Sequence, residues 1–201
     1  MKKYKLITIV LLLFCSCSTD VLEKTIFIPD ADDSNLPAYT ELGYNSFGVK
    51  YERMYFVATY DIIPCKIIYQ NGVLSFSLHG RIETGYYSTY YGNEEMSLIF
   101  SFPSSQMNEY KDLMVLNNTT IDLTGASCEV KMIRSSQTDT LTILSGNLTF
   151  KRAQLLSVDD KENRVILSGV FDLRFVRNDV PEVMSDGRFD LGITDLFNLS
   201  E

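Results

Sequence analysis

From Tyr44 to the C-terminus the chain repeats one pattern, apolar and polar residues in alternation. Leu74, Phe76 and Leu78 alternate with Ser75, Ser77 and His79. Met96, Leu98, Phe100 and Phe102 alternate with Ser97, Ile99 and Ser101, and Thr119, Ile121 and Leu123 with Asn118, Thr120 and Asp122. Val165, Leu167, Phe171, Leu173 and Phe175 share one face of another run, with Ser168, Asp172 and Arg174 on the other. A period of two sends successive side chains to opposite faces of a strand, so each run has one face to bury and one to wet.

Turn signals separate the runs. Asn71-Gly72 lies between Cys65–Gln70 and Val73–His79, and both residue types accept positive φ. Ser135–Asp139, Asp159–Asn163 and Asn178–Pro181 divide later pairs, the last preceding a strand over Glu182–Asp190. Helical periodicity is weak and confined to Ser104–Leu116, where Ser104 caps a short helix lined by Met107, Tyr110 and Met114. Strands joined by short turns pair antiparallel. The expected fold is therefore all-β, an antiparallel β-sandwich of about eight to ten strands with at most one short helix. A curled barrel is the alternative, because one-sided burial suits both.

The first residues obey another rule. Lys2, Lys3 and Lys5 precede an apolar run, Leu6–Phe14, too short to span a bilayer. A basic flank and a short apolar stretch make a signal peptide. The run closes on Phe14-Cys15-Ser16-Cys17-Ser18, which resembles the lipobox of bacterial lipoproteins, where a small residue precedes the acylated Cys. Ser16 meets that requirement for Cys17, whereas Phe14 before Cys15 does not. Phe14 also departs from the pattern, standing three residues before Cys17 where an aliphatic residue is usual. Residues 1–16 are the expected leader, with lipidation at Cys17. Residues 17–36, rich in acids, are the expected tether, and 37–201 a single β domain.

Cleavage removes three of the 18 basic residues and none of the 26 acidic ones, so the mature chain carries a formal charge of −11. That charge repels nucleic acid and gives no pull toward anionic lipid. The acyl group is then the membrane anchor, since each buried CH2 contributes about 0.8 kcal/mol. The bilayer is thus one expected partner, and the cell envelope, at the outer membrane, the expected location. Export also permits a disulfide between Cys65 and Cys128.

Two stretches carry a resemblance. Leu36–Gly48 (LPAYTELGYNSFG) is similar to the opening of a group of lipoproteins of unknown function from gut Bacteroidota. Val49–Phe56 stands where that group has a strand pair, with Glu52-Arg53 replacing its usual Asn-Gly turn. Leu167–Leu173 (LSGVFDL) and Ser185–Asp190 (SDGRFD) resemble the group's closing pair. Together these cover about fifty residues at the two ends of the domain. The resemblance implies origin and a β fold, and brings no activity with it.

The candidate sites are few. Thr84–Gly92 carries Tyr86, Tyr87, Tyr90 and Tyr91 between two strong strands. An exposed Tyr offers a flat apolar face and a wet hydroxyl, which suits sugar rings or a protein partner. The alternative is a long hairpin whose rings alternate between core and rim. His79, the single His, lies on the polar register of its strand and reads as a surface residue. Glu94, Glu95, Asp172 and Asp190 are carboxylates without a spacing that selects an acid–base pair. Asp30–Asn35 places acids at the first and third positions of a calcium loop. The Gly such a loop needs is Asn35, Pro37 interrupts it, and no helices flank it. Asp139-Thr140-Leu141 resembles the short site at which exported Bacteroidota proteins are O-glycosylated, at Thr140. No phosphate loop, nucleophile elbow, metal spacing or dinucleotide fingerprint is present in the sequence, and no cofactor or metal is expected. The functional expectation is a membrane-anchored, non-catalytic binding module for a glycan or protein. A structural or fimbrial-type assembly protein comes second, and a carboxylate hydrolase third.

Overall fold

The structure, a computed structural model, describes residues 25–83, 94–158, 161–194 and 196. Eleven strands form one antiparallel sheet. They are β1 Ser46–Tyr51, β2 Met54–Val57, β3 Cys65–Gln70, β4 Val73–Glu83, β5 Glu94–Pro103, β6 Thr119–Asp122, β7 Glu129–Arg134, β8 Gln137–Thr140, β9 Thr142–Val158, β10 Lys161–Arg177 and β11 Val180–Ile193. Their lateral order is β6-β9-β10-β11-β1-β2-β4-β5-β7-β8, with β3 also on β4.

The strands form where the alternation lies. Leu74, Phe76, Leu78, Met96, Leu98, Phe100 and Phe102 are all at 2 % exposure or less. Tight turns join them at residues that accept positive φ. These are Asn71-Gly72 (52° and 81°), Ser135-Ser136 (49° and 65°) and Asn178-Asp179 (51° and 63°), the last two each a pair of left-handed residues in a two-residue hairpin loop.

The sheet is continuous and curls into a half-barrel, the second of the two expected arrangements. Phe76 on β4 lies 5.5 Å from Phe150 on β9 and 5.1 Å from Phe189 on β11. Phe100 on β5 meets Phe171 on β10 at 5.5 Å. In a flat sheet β4 and β9 would stand five strand spacings apart, about 24 Å. Rolling the sheet brings its apolar face onto itself, and nine of the twelve Phe are at 2 % exposure or less. The roll turns at β4. Its C-terminal part pairs with β2 (Tyr55↔Glu83 to Val57↔Arg81) and its N-terminal part with β3 (Cys65↔Leu78 to Gln70↔Val73), while β5 occupies its other edge throughout. Gly80 sits at the handover, where an added Cβ would stand 2.1 Å from the Val57 carbonyl oxygen.

Two expectations change in detail. The helical segment is a 3-10 helix over Tyr110–Leu116, capped at Glu109 rather than Ser104. The Asp112 carboxylate accepts from the Asn108 and Glu109 N–H groups. It buries Leu113 and Leu116 and leaves Met114 42 % exposed, because a three-residue turn selects a different face from a 3.6-residue one. Residues 25–36, expected within a tether, fold back onto the sheet as a strap. Pro29 bridges Pro37, the Asp30 N–H donates to the Leu36 carbonyl, and Leu36 is 1 % exposed. Asp30 pairs with Arg188 at 2.7 Å, and the Tyr55 hydroxyl donates to Asp33 at 3.0 Å. Acids that looked solvated have partners across the strap, and a single Leu anchors it.

Candidate functional site

The handover at β4 also makes the outward-facing cavity. Residues 58–64 connect β2 to β3 and arch over the neighbouring stretch of β4, where the His79 N–H donates to the Pro64 carbonyl at 2.9 Å. This leaves a hollow of ≈ 370 Å³ lined by Ile62, Ile63, Lys66, His79, Glu95 and Ser97, with Gly80 and Met96. His79 and Ser97 are register partners on β4 and β5. His79 Nδ1 lies 2.7 Å from Ser97 Oγ. Its Nε2 is buried and has no hydrogen-bond partner among the described residues. Burial first, then the nearby Lys66 charge, holds the imidazole below its ordinary 6.5. The ring is therefore neutral at neutral pH. The apolar Ile62 and Ile63 facing the polar Lys66, Glu95 and Ser97 suit a ligand with both an apolar face and polar groups.

The Ser97–His79 contact also has the reach of a nucleophile and its base. Among the described residues no carboxylate orients the ring, and the His79 backbone N–H is already engaged by the Pro64 carbonyl.

Three of the four candidate carboxylates have structural partners. Glu94 takes Arg134 Nε at 2.7 Å and Nη2 at 2.6 Å, and also accepts from Ser135. These bonds hold its carboxyl below the usual range, with the Arg134 bond the larger cause. Glu95 stands 3.5 Å from Arg81, and Asp172 is exposed on β10. Asp190 is 1 % exposed. It accepts from Thr40 Oγ1 and from the N–H groups of Leu42 at 3.1 Å, Gly43 at 2.7 Å and Tyr44 at 3.3 Å. The opening segment Leu36–Gly48 and the closing segment Ser185–Asp190 thus meet in space, through that carboxylate and the pairs Ser46↔Asp190, Phe47↔Phe189 and Gly48↔Arg188. These motifs lock the first strand to the last. Ser168, expected on a wet face, is 0 % exposed and pairs with Asp190.

A second polar cluster closes the mouth of the half-barrel. The Tyr51 hydroxyl donates to Glu182, which also takes Arg177 at 2.9 Å, and Arg177 reaches Asp139 on β8 at 3.5 Å. Burial, then the Glu182 bond, pushes the Tyr51 hydroxyl up to about 12. Arg177 thereby ties the β8 edge to β10 and β11 across the open side.

Cys17 and Tyr86, Tyr87, Tyr90 and Tyr91 lie outside the described residues. The flanks of the tyrosine segment, Glu83 and Glu94, end β4 and β5 at the mouth, a few residue pairs from His79↔Ser97. The Cys65–Cys128 bridge that export permits does not form, and both thiols are free. Cys65 is on β3 and Cys128 immediately precedes β7, with β4 and β5 between them. That is about 14 Å across the sheet, against the ~7 Å limit for a disulfide. Thr140 is exposed at the end of the edge strand β8, beside buried Leu141. Among the described residues no group of three His, Cys, Asp or Glu is placed to hold a metal ion. In Asp30–Asn35 the Asp30 carboxylate instead accepts from the Asp32 and Asp33 N–H groups and pairs with Arg188.

The sequence had placed His79 on the outer face but gave no sign of the cavity. Lys66, Ile62 and Ile63 join it only because β2 and β3 share one edge of β4. No family model, no curated protein and no solved structure matches the chain. Its fold and site define a class, an all-β domain of one curled antiparallel sheet with a small outward cavity at its corner.

Proposed function

We propose that this chain is a lipid-anchored envelope lipoprotein, held by acylated Cys17, whose β domain is a non-catalytic binding module for a glycan or a protein. The observation that carries the reading is the cavity beside His79, with apolar Ile62 and Ile63 and polar Lys66, Glu95 and Ser97 in its lining, close to the strands that launch the Tyr86–Tyr91 segment. Flat apolar surface beside a few directional hydrogen bonds is what a sugar ring or an aromatic-rich partner recognises. The non-catalytic part rests on the Ser97–His79 pair having no orienting carboxylate among the described residues and on Glu94, Glu95 and Asp190 being engaged by Arg134, Arg81 and a backbone nest. The end motifs fit membership of the Bacteroidota lipoprotein group, which leaves the ligand to be found. Outer-membrane location and O-glycosylation at Thr140 belong to the same proposal.

The test is glycan-array and pull-down binding by the intact protein, by H79Q, and by a variant with Tyr86, Tyr87, Tyr90 and Tyr91 replaced by Ser. Loss of a captured ligand in either variant supports the module, and undiminished capture by both removes it. Incorporation of labelled palmitate into the wild type and not into C17S tests the anchor separately. A structural or assembly role is the second reading, favoured by β3, whose six residues pair only with β4 among the described residues and leave one edge open to an added strand. A purified domain that polymerises would favour it.

A further inference from the structure

Ile26, Phe27 and Ile28 follow one another at the start of the strap and are 45 %, 39 % and 42 % exposed. They are held in place. The Ile26 N–H donates to Tyr44 O at 2.8 Å, and Ile28 O accepts from the Ala38 N–H at 2.7 Å. Leu42, in the loop these bonds bracket, is 57 % exposed. On the other side Thr25 Oγ1 donates to Thr59 O at 3.4 Å, next to Tyr60, which is 82 % exposed. A fixed backbone thus presents Ile, Phe, Ile and Leu to solvent with a Tyr nearby. Exposed apolar residues grouped in this way mark a contact surface. The acids nearest in sequence are paired, Asp30 with Arg188, Glu41 with Arg152 at 2.8 Å and Asp61 with Arg81 at 2.8 Å.

The position of the patch along the chain indicates what covers it. Thr25 is eight residues after Cys17, a reach of at most about 27 Å even if fully extended. A lipid on Cys17 therefore keeps Ile26–Ile28 close to the bilayer, and a weak contact becomes effective once it is intramolecular. We propose that Ile26, Phe27, Ile28, Leu42 and Tyr60 form a foot that rests in the headgroup region of the bilayer holding Cys17. The proposal rests on the lipid-anchor reading. Aliphatic and aromatic side chains with a Tyr hydroxyl at the edge suit the interface between headgroup and acyl chain. The acidic chain points to a zwitterionic surface rather than an anionic one. The foot sits at the Arg188–Asp190 level of β11, and the mouth at Glu182 is six or more residues away, about 20 Å. Seating the foot would hold the mouth off the surface.

The experiment uses the acylated full-length protein in vesicles of phosphatidylethanolamine and phosphatidylcholine. In a C128S background, a polarity-sensitive fluorophore is placed at F27C and, as controls, at the exposed positions L144C and V180C. Quenching by lipids spin-labelled near the headgroup is then compared. Emission at residue 27 should fall at least about twofold further than at 144 or 180, since an interfacial group sits ~5–10 Å into the boundary. If the protein floats with the vesicles and residue 27 is quenched no more than the controls, the foot is overturned and the anchor stands. If the protein does not float with the vesicles, the anchor fails and the foot with it.

Discussion

Replacing Asp190 by Asn tests whether the end motifs are a structural lock. The two side chains have nearly the same shape, so the change isolates the hydrogen bonds. One carboxylate oxygen of Asp190 serves Thr40, Leu42 and Tyr44, and the other serves Gly43 at 2.7 Å. In the least costly orientation the new amide oxygen keeps the first three donors and the NH2 faces the Gly43 N–H. That loses one charge-assisted bond, about 1.5–3 kcal/mol, and leaves a buried donor unmet. The remaining three bonds weaken when their acceptor becomes neutral. The expected loss is about 3 kcal/mol, and the opposite orientation costs more because three donors are stranded. For a domain of this size that shifts Tm by roughly 10 °C. Thermal unfolding followed by near-ultraviolet circular dichroism reads it directly. A D190N protein melting within about 3 °C of wild type would refute the lock, because a shift that small corresponds to ~1 kcal/mol.

Other consequences are as direct. G80A should cost about 3 kcal/mol in urea unfolding, since the new Cβ would stand 2.1 Å from backbone at Val57 and neither strand can give way. His79 is held below 6.5 in the folded chain, so below about pH 6.5 the unfolded chain takes up a proton that the native chain does not, and stability falls as pH falls. H79Q should flatten that slope between about pH 7 and 5.5, measured as urea midpoints. Glu94 has a depressed folded value, so its contribution is complete above the ordinary carboxylate range and is lost on acidification, and E94Q should remove that part of the acid sensitivity. In the native protein Cys128 should alkylate and Cys65 should not, because Cys65 is 8 % exposed and burial pushes its thiol up, and denaturant should release it. Mass spectrometry without reductant should show no internal bridge.

The alternation of Leu74–His79 and Met96–Phe102 was enough to define an all-β chain, and Asn71-Gly72 enough to place its first hairpin. Both signals are local, since a period of two and a need for positive φ are written within a few residues. Of the expected helix face, Met107 and Tyr110 pack on the core and Met114 does not, because the 3-10 turn is shorter than the one assumed. Other features needed the fold. Period-two patterning records that one face is buried but not what buries it. A sandwich and a rolled sheet therefore look alike in sequence until Phe76 meets Phe150. Asp30 and Asp33 read as tether acids, and Asp190 as one unselected carboxylate among four, because their partners lie on segments distant in sequence, up to 158 residues away for Asp30 and Arg188. The cavity at His79 exists only because β2 and β3 divide one edge of β4, a relation set by long-range pairing that no short window contains. The sequence alone determined the strand character, the turns and the expected address at Cys17. Tertiary structure decided the roll, the separation of Cys65 from Cys128, the strap and the cavity, because each depends on which strand lies beside which.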